Sequence, residues 1–428
     1  MSEIEVQFEK ATPGGKALGR INDKIIFAHD VLPGEKALVK ITKDKKDFYH
    51  GQVIKITHPS PHRIAPKEDH YLTCSPWQIA DYHLEKRMKS ELLQETFERI
   101  GKSNIPVTKF TPSPLIFGYR NKLVFSFTEE NNDLQLAFYR RGTSQKKIPL
   151  PTGCALADPI INETALAVIE KLNQASIPLS SLKNLMVRSS KTTQKTIATL
   201  FWTTENFSDL DPDSIPHLAG LHHFYSRPGS PNNTYDRSLK SSGEKELSET
   251  IGSLKIAYPF DAFFQNNLTI LPTALDRIRT YCLPIQKNIH ELYSGVGTIG
   301  LYLADLADQV QGLEISSSAN TWANKNAKIN GIENFFSCSG TDQKISSTWL
   351  SKSDILILDP PRPGLHPKVI KRILEVKPQR IIYLSCDPVT QARDFFRLKN
   401  DYEPLALEGF DFYPQTPHLE SLLVLDLK

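Results

Sequence analysis

Residues 291–300 read ELYSGVGTIG, and this segment decides the fold. Gly295, Gly297 and Gly300 have the spacing G-x-G-x-x-G between a predicted strand and a predicted helix. Glycines at these positions let the backbone approach a ligand at the N-terminus of the helix. The segment therefore predicts an adenosine-type ligand. Taken alone, it fits a dinucleotide dehydrogenase and an S-adenosylmethionine enzyme equally well.

Strands and helices alternate around this turn, from about residue 260 to the end of the chain. The predicted strands are 288–293, 309–314, 354–359, 380–385 and 421–427, and the predicted helices are 297–306, 319–330 and 368–375. This rhythm predicts a doubly wound, parallel sheet. Glu314 ends the strand after the glycine-rich turn, where a carboxylate can accept hydrogen bonds from both hydroxyls of a ribose.

Two later strands end in residues that carry chemistry. Asp359 opens DPPRP (359–363), and Cys386 lies in YLSCDP (383–388). Because the carboxyl ends of parallel strands meet at one edge of the sheet, both side chains are expected at the ligand site. Asp359 can face a cationic part of the cofactor, and Cys386 can act as a nucleophile where its thiolate is favoured. The alternatives are a rigid proline turn and a packed, small apolar side chain.

A further acidic segment, DFYPQTPHLE (411–420), stands directly before the last predicted strand. It offers an acid and a histidine that could form a general base and its support. They could equally be polar residues of a surface loop. Only their placement beside the two preceding strand ends favours the catalytic interpretation.

The N-terminal half has a different pattern of predicted secondary structure. Residues 1–57 predict short strands of a small β-barrel, 58–66 a proline-rich linker and 79–101 one amphipathic helix. Hairpin-like stretches follow, with basic and aromatic residues interleaved: Tyr119, Arg120, Lys122, Tyr139, Arg140, Arg141, Lys146 and Lys147. Basic side chains can bind phosphates and aromatic rings can stack on bases, although an ordinary sheet with a polar face has the same pattern.

The bulk composition bounds these interpretations. A chain of 428 residues with 39% hydrophobic and 23% charged residues predicts two or three globular domains. The first residues lack an apolar run suited to a signal peptide, and no stretch of about 18 apolar residues predicts a membrane span. Five scattered cysteines then indicate reduced thiols and a cytoplasmic location, and no His/Cys group has zinc-finger spacing.

Together, the motifs resemble the RNA uracil-C5 methyltransferases. The matching segments, in family order, are FFQNN (263–267), ELYSGVGTIGL (291–301), DPPRPGL (359–365), YLSCDP (383–388) and DFYPQTPHLES (411–421). The first 57 residues resemble a TRAM domain, an RNA-binding barrel of the OB type. The resemblance implies a Rossmann-like α/β class I methyltransferase domain (259–428), a TRAM barrel (1–58) and a central, mostly β domain for RNA recognition (59–258). Helix 79–101 is expected to pack on the catalytic domain.

The resemblance also implies a mechanism. Cys386 attacks carbon 6 of a flipped-out uracil, carbon 5 takes the methyl group, and Glu420 then removes the proton from carbon 5. S-adenosylmethionine would be held by the residues at the family's cofactor positions, Gln265, Tyr293, Glu314 and Asp359. Thr341 stands where relatives often contact the adenine, and His418 is expected to orient Glu420 or the base.

Two departures from the family pattern matter. The nucleophile motif reads SCDP where SCNP is common, so Asp387 is interpreted as a tolerated variant. Many ribosomal RNA members carry a cysteine cluster for an iron–sulfur centre near residues 68–78. Here Cys74 is kept and Cys154 matches the distal ligand, but Glu68 and Trp77 stand where two other cysteines would be. Two thiols cannot supply four ligands, so we predict no iron–sulfur cluster and no metal site.

The predicted substrate is RNA, with neither a membrane nor an obligate protein partner. A TRAM-like barrel favours 23S ribosomal RNA, and the missing cluster makes a transfer RNA uridine the alternative. Three rivals remain: a nicotinamide oxidoreductase, a catalytically idle RNA-binding protein and a cytosine-C5 methyltransferase. A nicotinamide oxidoreductase would leave DPPRP and SCDP unexplained. The presence of Cys386 and Glu420 disfavours a catalytically idle protein. Cytosine-C5 methyltransferases carry their active-site cysteines in motifs of different sequence.

Overall fold

Residues 3–58 form a closed barrel. The computed structural model describes residues 3–143, 145–231, 234–284, 286–342, 349–350 and 355–428. The barrel strands are β1 (Glu3–Thr12), β2 (Lys16–Ile21), β3 (Lys24–His29), β4 (Lys36–Asp44) and β5 (Phe48–His58), in the order β1-β2-β3-β5-β4. Gly14 and Gly15 both adopt positive φ in the turn after β1, which residues with a side chain rarely do. The predicted N-terminal barrel is confirmed.

The connecting segment joins the barrel to the C-terminal domain. It contains α1 (Tyr71–Cys74), α2 (Tyr82–Thr96), a π-helical turn (Phe97–Gly101) and strand β6 (Val107–Thr111). The predicted helix began three residues too early, because Asp81 caps α2 by accepting a hydrogen bond from the backbone N–H of Leu84 at 2.7 Å. Lys10 of the barrel forms an ion pair with Glu95 of α2 at 2.7 Å.

The central part is mostly β, as expected. Its elements are β7 (Lys122–Glu130), β8 (Asp133–Tyr139), β9 (Lys147–Pro149), α3 (Pro159–Gln174), β10 (Leu182–Ser189), β11 (Thr196–Trp202), β12 (Leu218–Tyr225), β13 (Arg237–Gly243), β14 (Glu246–Ile251) and β15 (Leu254–Pro259). Seven of these strands form one sheet in the order β13-β12-β11-β10-β7-β8-β9, and β14 pairs with β15 alone. Short 3₁₀ turns lie at Leu179–Ser181 and Pro212–Ser214.

The C-terminal part is a helix-flanked, eight-stranded sheet. Its strands are β16 (Gln286–Leu292), β17 (Ala307–Glu314), β18 (Phe335–Ser339), β19 (Ile355–Leu358), β20 (Arg380–Ser385), β21 (Tyr402–Phe410) and β22 (Glu420–Leu427), and its helices are α4 (Leu271–Cys282), α5 (Thr298–Tyr302), α6 (Ser317–Ile329), α7 (Pro367–Val376) and α8 (Pro388–Leu398). A 3₁₀ turn spans Ala304–Leu306. The predicted start of one strand, Asp354, lies outside the described residues.

The order of this sheet is β18-β17-β16-β19-β20-β22-β21-β6. The five strands from β18 to β20 are parallel, which confirms the predicted doubly wound core. Strand β22 runs antiparallel between β20 and β21, and β6 from the connecting segment adds the edge strand beside β21. The sheet therefore takes one strand from a segment that precedes the central part in sequence.

The helices are short. The longest helix in the described part of the chain, α3, has 16 residues. Within those residues, no helix is both long and apolar enough to cross a lipid bilayer.

Candidate active site

Three predicted site residues leave the same edge of the sheet. Asp359 follows the last residue of β19, and Cys386 follows the last residue of the neighbouring parallel strand β20. Strand β22 pairs antiparallel with β20, so that Ser385 lies opposite Ser421. Glu420, the first residue of β22, therefore stands at the strand end from which Cys386 departs. The fold places a thiol and two carboxyls on one rim.

Buried hydrogen bonds fix this rim. The side-chain amide of Gln391 on α8 donates to the carbonyl of Tyr383 at 2.7 Å and to that of Ser421 at 3.2 Å. The side-chain oxygen of Gln391 accepts a 2.5 Å hydrogen bond from the Ser421 hydroxyl. Strands β20 and β22 are thus joined beside the thiol, which limits the movement of Cys386 relative to Glu420.

Asp387 is the N-cap of α8. Its carboxylate accepts hydrogen bonds from the backbone N–H groups of Val389 at 2.9 Å and Thr390 at 3.3 Å. An asparagine oxygen can cap a helix in the same way, so the SCDP sequence preserves the local structure that SCNP would have. Unlike an asparagine, however, Asp387 has a carboxylate, which contributes to raising the pKa of the Cys386 thiol.

The rim is acidic and partly buried, with Glu420 buried and Cys386 and Asp359 half-buried. Burial, followed by the negative charges of Glu420 and Asp359, raises the pKa of Cys386 to about 12. Burial also raises the pKa of Asp359 to about 7. The pKa of Glu420 is raised well above its ordinary value, first by burial and then by the charge of Asp359. Arg362 opposes these shifts by lowering the pKa of both Cys386 and Glu420.

Glu420 is held by a tyrosine that the sequence analysis did not single out. The hydroxyl of Tyr413 donates a 3.0 Å hydrogen bond to Oε1 of Glu420, whereas Oε2 of Glu420 is buried without a hydrogen-bond partner. We expected His418 to orient Glu420 or the base, and its ring stands edge-on to Tyr413 with a centroid distance of 6.1 Å. The free Oε2 atom leaves an acceptor available to a substrate.

A cleft of about 190 Å³ opens beside Cys386. It is lined by Pro13 and Gly14 of the barrel turn, by Leu92 and Thr96 of α2, and by Arg362 and His418. The barrel, the connecting helix and the catalytic rim thus form one concave surface.

A second pocket adjoins the rim from the other side. Three of the four predicted cofactor residues line it, namely Gln265, Tyr293 and Asp359. The fourth, Glu314, is connected to the pocket through its carboxylate, which accepts hydrogen bonds from the backbone N–H groups of Gly295 at 2.9 Å and Ser316 at 2.7 Å. The structure therefore brings all four residues together around the glycine-rich turn.

The backbone conformation of this turn explains why it contains glycines. Gly295 and Gly297 both have positive φ, and a Cβ atom added to Gly295 would meet no atom within 4 Å. That open space lies on the pocket side, where Gly295 is among the lining residues. Tyr293 also has positive φ, at 65°, which turns its side chain so that the hydroxyl hydrogen-bonds Asp342 at 2.5 Å. Asp342, next to Thr341, had no signal in the sequence.

Gln265 carries an unsatisfied acceptor. Its side-chain Oε1 is buried without a hydrogen-bond partner, whereas its backbone carbonyl is held by the side-chain amide of Asn121 at 2.9 Å. Burying an unpaired acceptor costs free energy, so such atoms mark places where a ligand donor completes the structure. The pocket thus offers two acceptors, Gln265 and Asp359, to a cationic group.

Behind the rim, three charged residues form a fully buried ion triad. Nζ of Lys89 lies 2.7 Å from Oε1 of Glu85 and 2.6 Å from Oδ1 of Asp411, and all three side chains have zero exposure. Lys89 also donates a 3.0 Å hydrogen bond to the carbonyl of Tyr413, and Glu85 accepts one from the backbone N–H of Gln415 at 2.7 Å. Helix α2 thereby positions the segment that carries Tyr413. No pattern in the sequence predicts these contacts, because α2 and the segment around Asp411 are more than 300 residues apart.

The surface predicted for RNA is only partly exposed. Tyr139 has 39% exposure, and Arg140 and Lys146 are exposed around the β8–β9 turn. Tyr119, in contrast, is fully buried and donates a 3.1 Å hydrogen bond to the carbonyl of Pro414. Tyr119 is therefore not available to stack on a base, in keeping with the alternative of an ordinary sheet at this position.

Two family models match parts of the chain. Residues 342–428 match the model described as tRNA (uracil-5-)-methyltransferase, and residues 1–54 match the TRAM domain. The first match includes Asp359, Cys386 and Glu420, and the second covers most of the barrel.

Full-length relatives are similar across the whole chain. An uncharacterized RNA methyltransferase of Lactobacillus johnsonii is 30% identical over 450 residues, covering 99% of this chain and 98% of the relative. Another from Synechocystis sp. is 28% identical over 448 residues, with coverages of 99% and 96%. The crystal structure of Pyrococcus abyssi tRNA (uracil-54, C5)-methyltransferase in complex with S-adenosyl-L-homocysteine has a TM-score of 0.79 at 23% identity, covering 99% of this chain and 100% of that one. The fold is shared from the barrel to the last strand.

Proposed function

The chain belongs to the RNA (uracil-5-)-methyltransferase family, and on that premise we propose that it transfers a methyl group from S-adenosylmethionine to carbon 5 of a uridine through a covalent adduct on Cys386. The observation that carries the proposal is the rim itself. A thiol, a buried carboxyl with a free oxygen and a second carboxyl leave adjacent strand ends beside a cleft of about 190 Å³.

The polar groups around the second pocket suit S-adenosylmethionine. The carboxylate of Glu314 keeps lone pairs for the two ribose hydroxyls after accepting its two backbone hydrogen bonds. The unpaired Oε1 of Gln265 and the carboxylate of Asp359 are suited to the cationic amino acid end. Tyr293 shapes the pocket wall. When bound, the cofactor supplies an electrophilic methyl group beside the rim.

Cys386 acts as the nucleophile. Its thiolate adds to carbon 6 of the uracil, and carbon 5 thereby becomes nucleophilic enough to accept the methyl group. The raised pKa of Cys386 means that the resting residue is a thiol, so ionisation has to accompany substrate binding. Arg362, which lowers the pKa of this thiol, favours that ionisation.

Glu420 removes the proton from carbon 5, after which the bond between Cys386 and carbon 6 breaks. The free Oε2 atom is the acceptor for that proton, while the Tyr413 hydroxyl holds Oε1 in place. The hydrogen bond from Tyr413 also lowers the pKa of Glu420, which favours the ionised base.

Large-subunit ribosomal RNA is the first candidate substrate, because the TRAM barrel contributes a wall of the cleft and extends the contact surface for a large RNA. Transfer RNA is the second candidate, favoured by the description of the matching family model. Mass mapping of 5-methyluridine in RNA from cells with and without the gene tests the proposal. Loss of one site in 23S RNA would support the first candidate, loss in transfer RNA only would support the second, and an unchanged pattern combined with no methyl transfer by the purified protein would refute the function.

The role of Glu314 predicts a binding defect. We expect Glu314→Gln to weaken S-adenosylmethionine binding by about 10- to 100-fold. The amide loses the charge that strengthens hydrogen bonds from the ribose hydroxyls, and its NH2 group cannot accept a hydrogen bond from either of them. Calorimetric titration of the cofactor measures the change. Glu333→Gln, at an exposed position near the same sheet, is the matched control and should bind normally. Equal affinity of both variants would contradict the assignment of Glu314.

The hydrogen bond from Tyr413 predicts a change in pH dependence. Because this bond lowers the pKa of Glu420, Tyr413→Phe should raise that pKa further and leave less ionised base at neutral pH. We expect kcat to fall about 10-fold at pH 7 and the rise of activity with pH to move toward higher pH.

The matched control is Tyr402→Phe. Tyr402 is a fully buried tyrosine whose hydroxyl donates a 3.0 Å hydrogen bond to the carbonyl of Pro378, away from the rim. This variant should keep the wild-type pH profile even if it is less stable. A pH profile of Tyr413→Phe that is merely scaled down, with no shift, would show that Tyr413 does not act through Glu420.

A further inference from the structure

Away from the rim, four potential metal ligands meet between the connecting segment and the central sheet. They are Glu68, His70, Cys74 and Cys154, which we call the donor cluster. His70 precedes α1 and Cys74 ends it, while Cys154 comes from the loop after β9. The cluster takes no part in the proposed methyl transfer.

The spacing of the ligand atoms fits a single ion. One carboxylate oxygen, one imidazole nitrogen and two thiol sulfurs all lie within 4.8 Å of one another. Four such atoms around a tetrahedral zinc ion, at about 2.0–2.3 Å from it, stand about 3.3–3.8 Å apart. Side-chain adjustments of about 1 Å would therefore complete the coordination.

His70 gives an independent observation. Its Nε2 atom is buried without a hydrogen-bond partner, and the side chain has only 9% exposure. Nε2 lies 3.2 Å from Oε1 of Glu68, yet the two atoms lack hydrogen-bond geometry. A ring nitrogen and a carboxylate oxygen at this distance can both face one ion.

The ligands are held by surrounding groups. The carboxylate of Glu68 accepts hydrogen bonds from the backbone N–H of Ala155 at 2.5 Å and from the side-chain amide of Gln78 at 2.9 Å. Lone pairs remain on both oxygens for a metal. The backbone N–H of Cys154 donates to the side-chain oxygen of Asn162 at 3.0 Å, and the carbonyl of Cys154 accepts from the same side chain. Outer-shell contacts of this kind orient metal ligands in proteins.

We propose that the donor cluster binds one zinc ion. Two thiolates, one carboxylate and a neutral imidazole carry three negative charges, which a divalent ion reduces to one. Arg120, which interacts electrostatically with both thiols, offsets the remaining charge. Mixed nitrogen, sulfur and oxygen donors in a closed, four-coordinate site are typical of structural zinc.

A mononuclear ion fits these donors better than a polynuclear iron–sulfur centre. A cluster places several iron and sulfide atoms between its ligands, so the ligand atoms would be farther apart than they are here, and it is commonly held by four thiolates. The prediction from sequence considered thiols alone and treated Glu68 as a lost ligand. The fold adds His70 and makes Glu68 a donor.

The zinc ion would join two parts of the molecule. It would tie α1 to the loop that carries Cys154, some 80 residues later in the chain. The neighbouring Arg141 donates hydrogen bonds to the carbonyl of Leu72 in α1 and to that of Gly14 in the barrel turn. Because Gly14 also lines the cleft beside Cys386, the ion would stabilise one wall of that cleft from behind.

The test measures metal in the full-length protein. Wild-type protein purified without chelators, or titrated with zinc after metal removal, is expected to hold one zinc ion per chain. Cobalt added in place of zinc should give a thiolate-to-cobalt absorption band. Cys154→Ser should lower zinc affinity by at least about 100-fold and remove much of that band. Cys338→Ser, at a half-buried thiol on β18, is the matched control and should retain both.

Three results would overturn the proposal. One is wild-type protein that binds no stoichiometric zinc after titration and gives no cobalt band, a measurement that does not depend on any variant folding. Another is iron with an equal amount of acid-labile sulfide, which would indicate a cluster. The third is full zinc binding by a folded Cys154→Ser protein, with folding checked by circular dichroism.

Discussion

Replacing Cys386 with alanine is expected to lower kcat/KM by at least about 10⁴-fold and to abolish any covalent complex with RNA. The reason is the poor nucleophilicity of carbon 5 of uracil, which has to be activated by the adduct before a methyl group can be transferred. An RNA containing 5-fluorouridine cannot lose the substituent at carbon 5 as a proton, so it should trap the wild-type protein as a stable complex. Denaturing electrophoresis measures this complex directly.

Two further variants make the result specific. Glu420→Gln should still form the adduct but fail to resolve it, so a covalent complex should accumulate even with ordinary uridine RNA. Cys338→Ala removes another incompletely buried thiol, on β18, and should retain both activity and trapping. If Cys386→Ala still methylated RNA within about 10-fold of the wild-type rate, the covalent mechanism would be refuted, whereas the family assignment would stand.

The rim was predictable from the sequence because its residues lie at strand ends. Each of the motifs DPPRP and SCDP follows a short apolar strand, and in a parallel sheet the ends of such strands meet. The positions of Asp359 and Cys386 therefore followed from the alternation of strands and helices, whereas the role of Glu420 was implied by the family resemblance. The same logic placed Glu314 beside the glycine-rich turn.

The groups that support the rim were not predictable in this way. Tyr413 lies in the segment that the sequence analysis quoted, but nothing in a DFYP sequence says which of its side chains will turn toward Glu420. The family resemblance suggested His418 as the group that orients Glu420 or the base, whereas the hydrogen bond to Glu420 comes from Tyr413. Strand β6 has too few residues to be recognised without its neighbour β21. Such contacts depend on tertiary packing between distant segments.

The ion triad gives the second large expected effect. Lys89→Met should lower the free energy of unfolding by about 3–5 kcal/mol, because the buried carboxyls of Glu85 and Asp411 lose their cation. The melting temperature should fall by roughly 10 °C. Burial already raises the pKa of Glu85 to about 8, and Lys89 lowers it from a still higher value. A folded-state pKa above the unfolded value of about 4.5 means that the native state holds the extra proton, so the stability of the variant should decrease further as pH rises from about 4.5.

Controls separate the buried charge from the loss of one lysine. Arg87→Met removes the cation of an exposed pair with Glu91 on the same helix, and it should cost less than about 1 kcal/mol. Adding Glu85→Gln and Asp411→Asn to Lys89→Met removes all three charges and should restore part of the melting temperature and flatten its dependence on pH. Because Lys89 also holds the carbonyl of Tyr413, activity at a temperature where Lys89→Met is folded should fall as well. If Lys89→Met melted like Arg87→Met at every pH, the triad would not stabilise the contact between α2 and the catalytic rim.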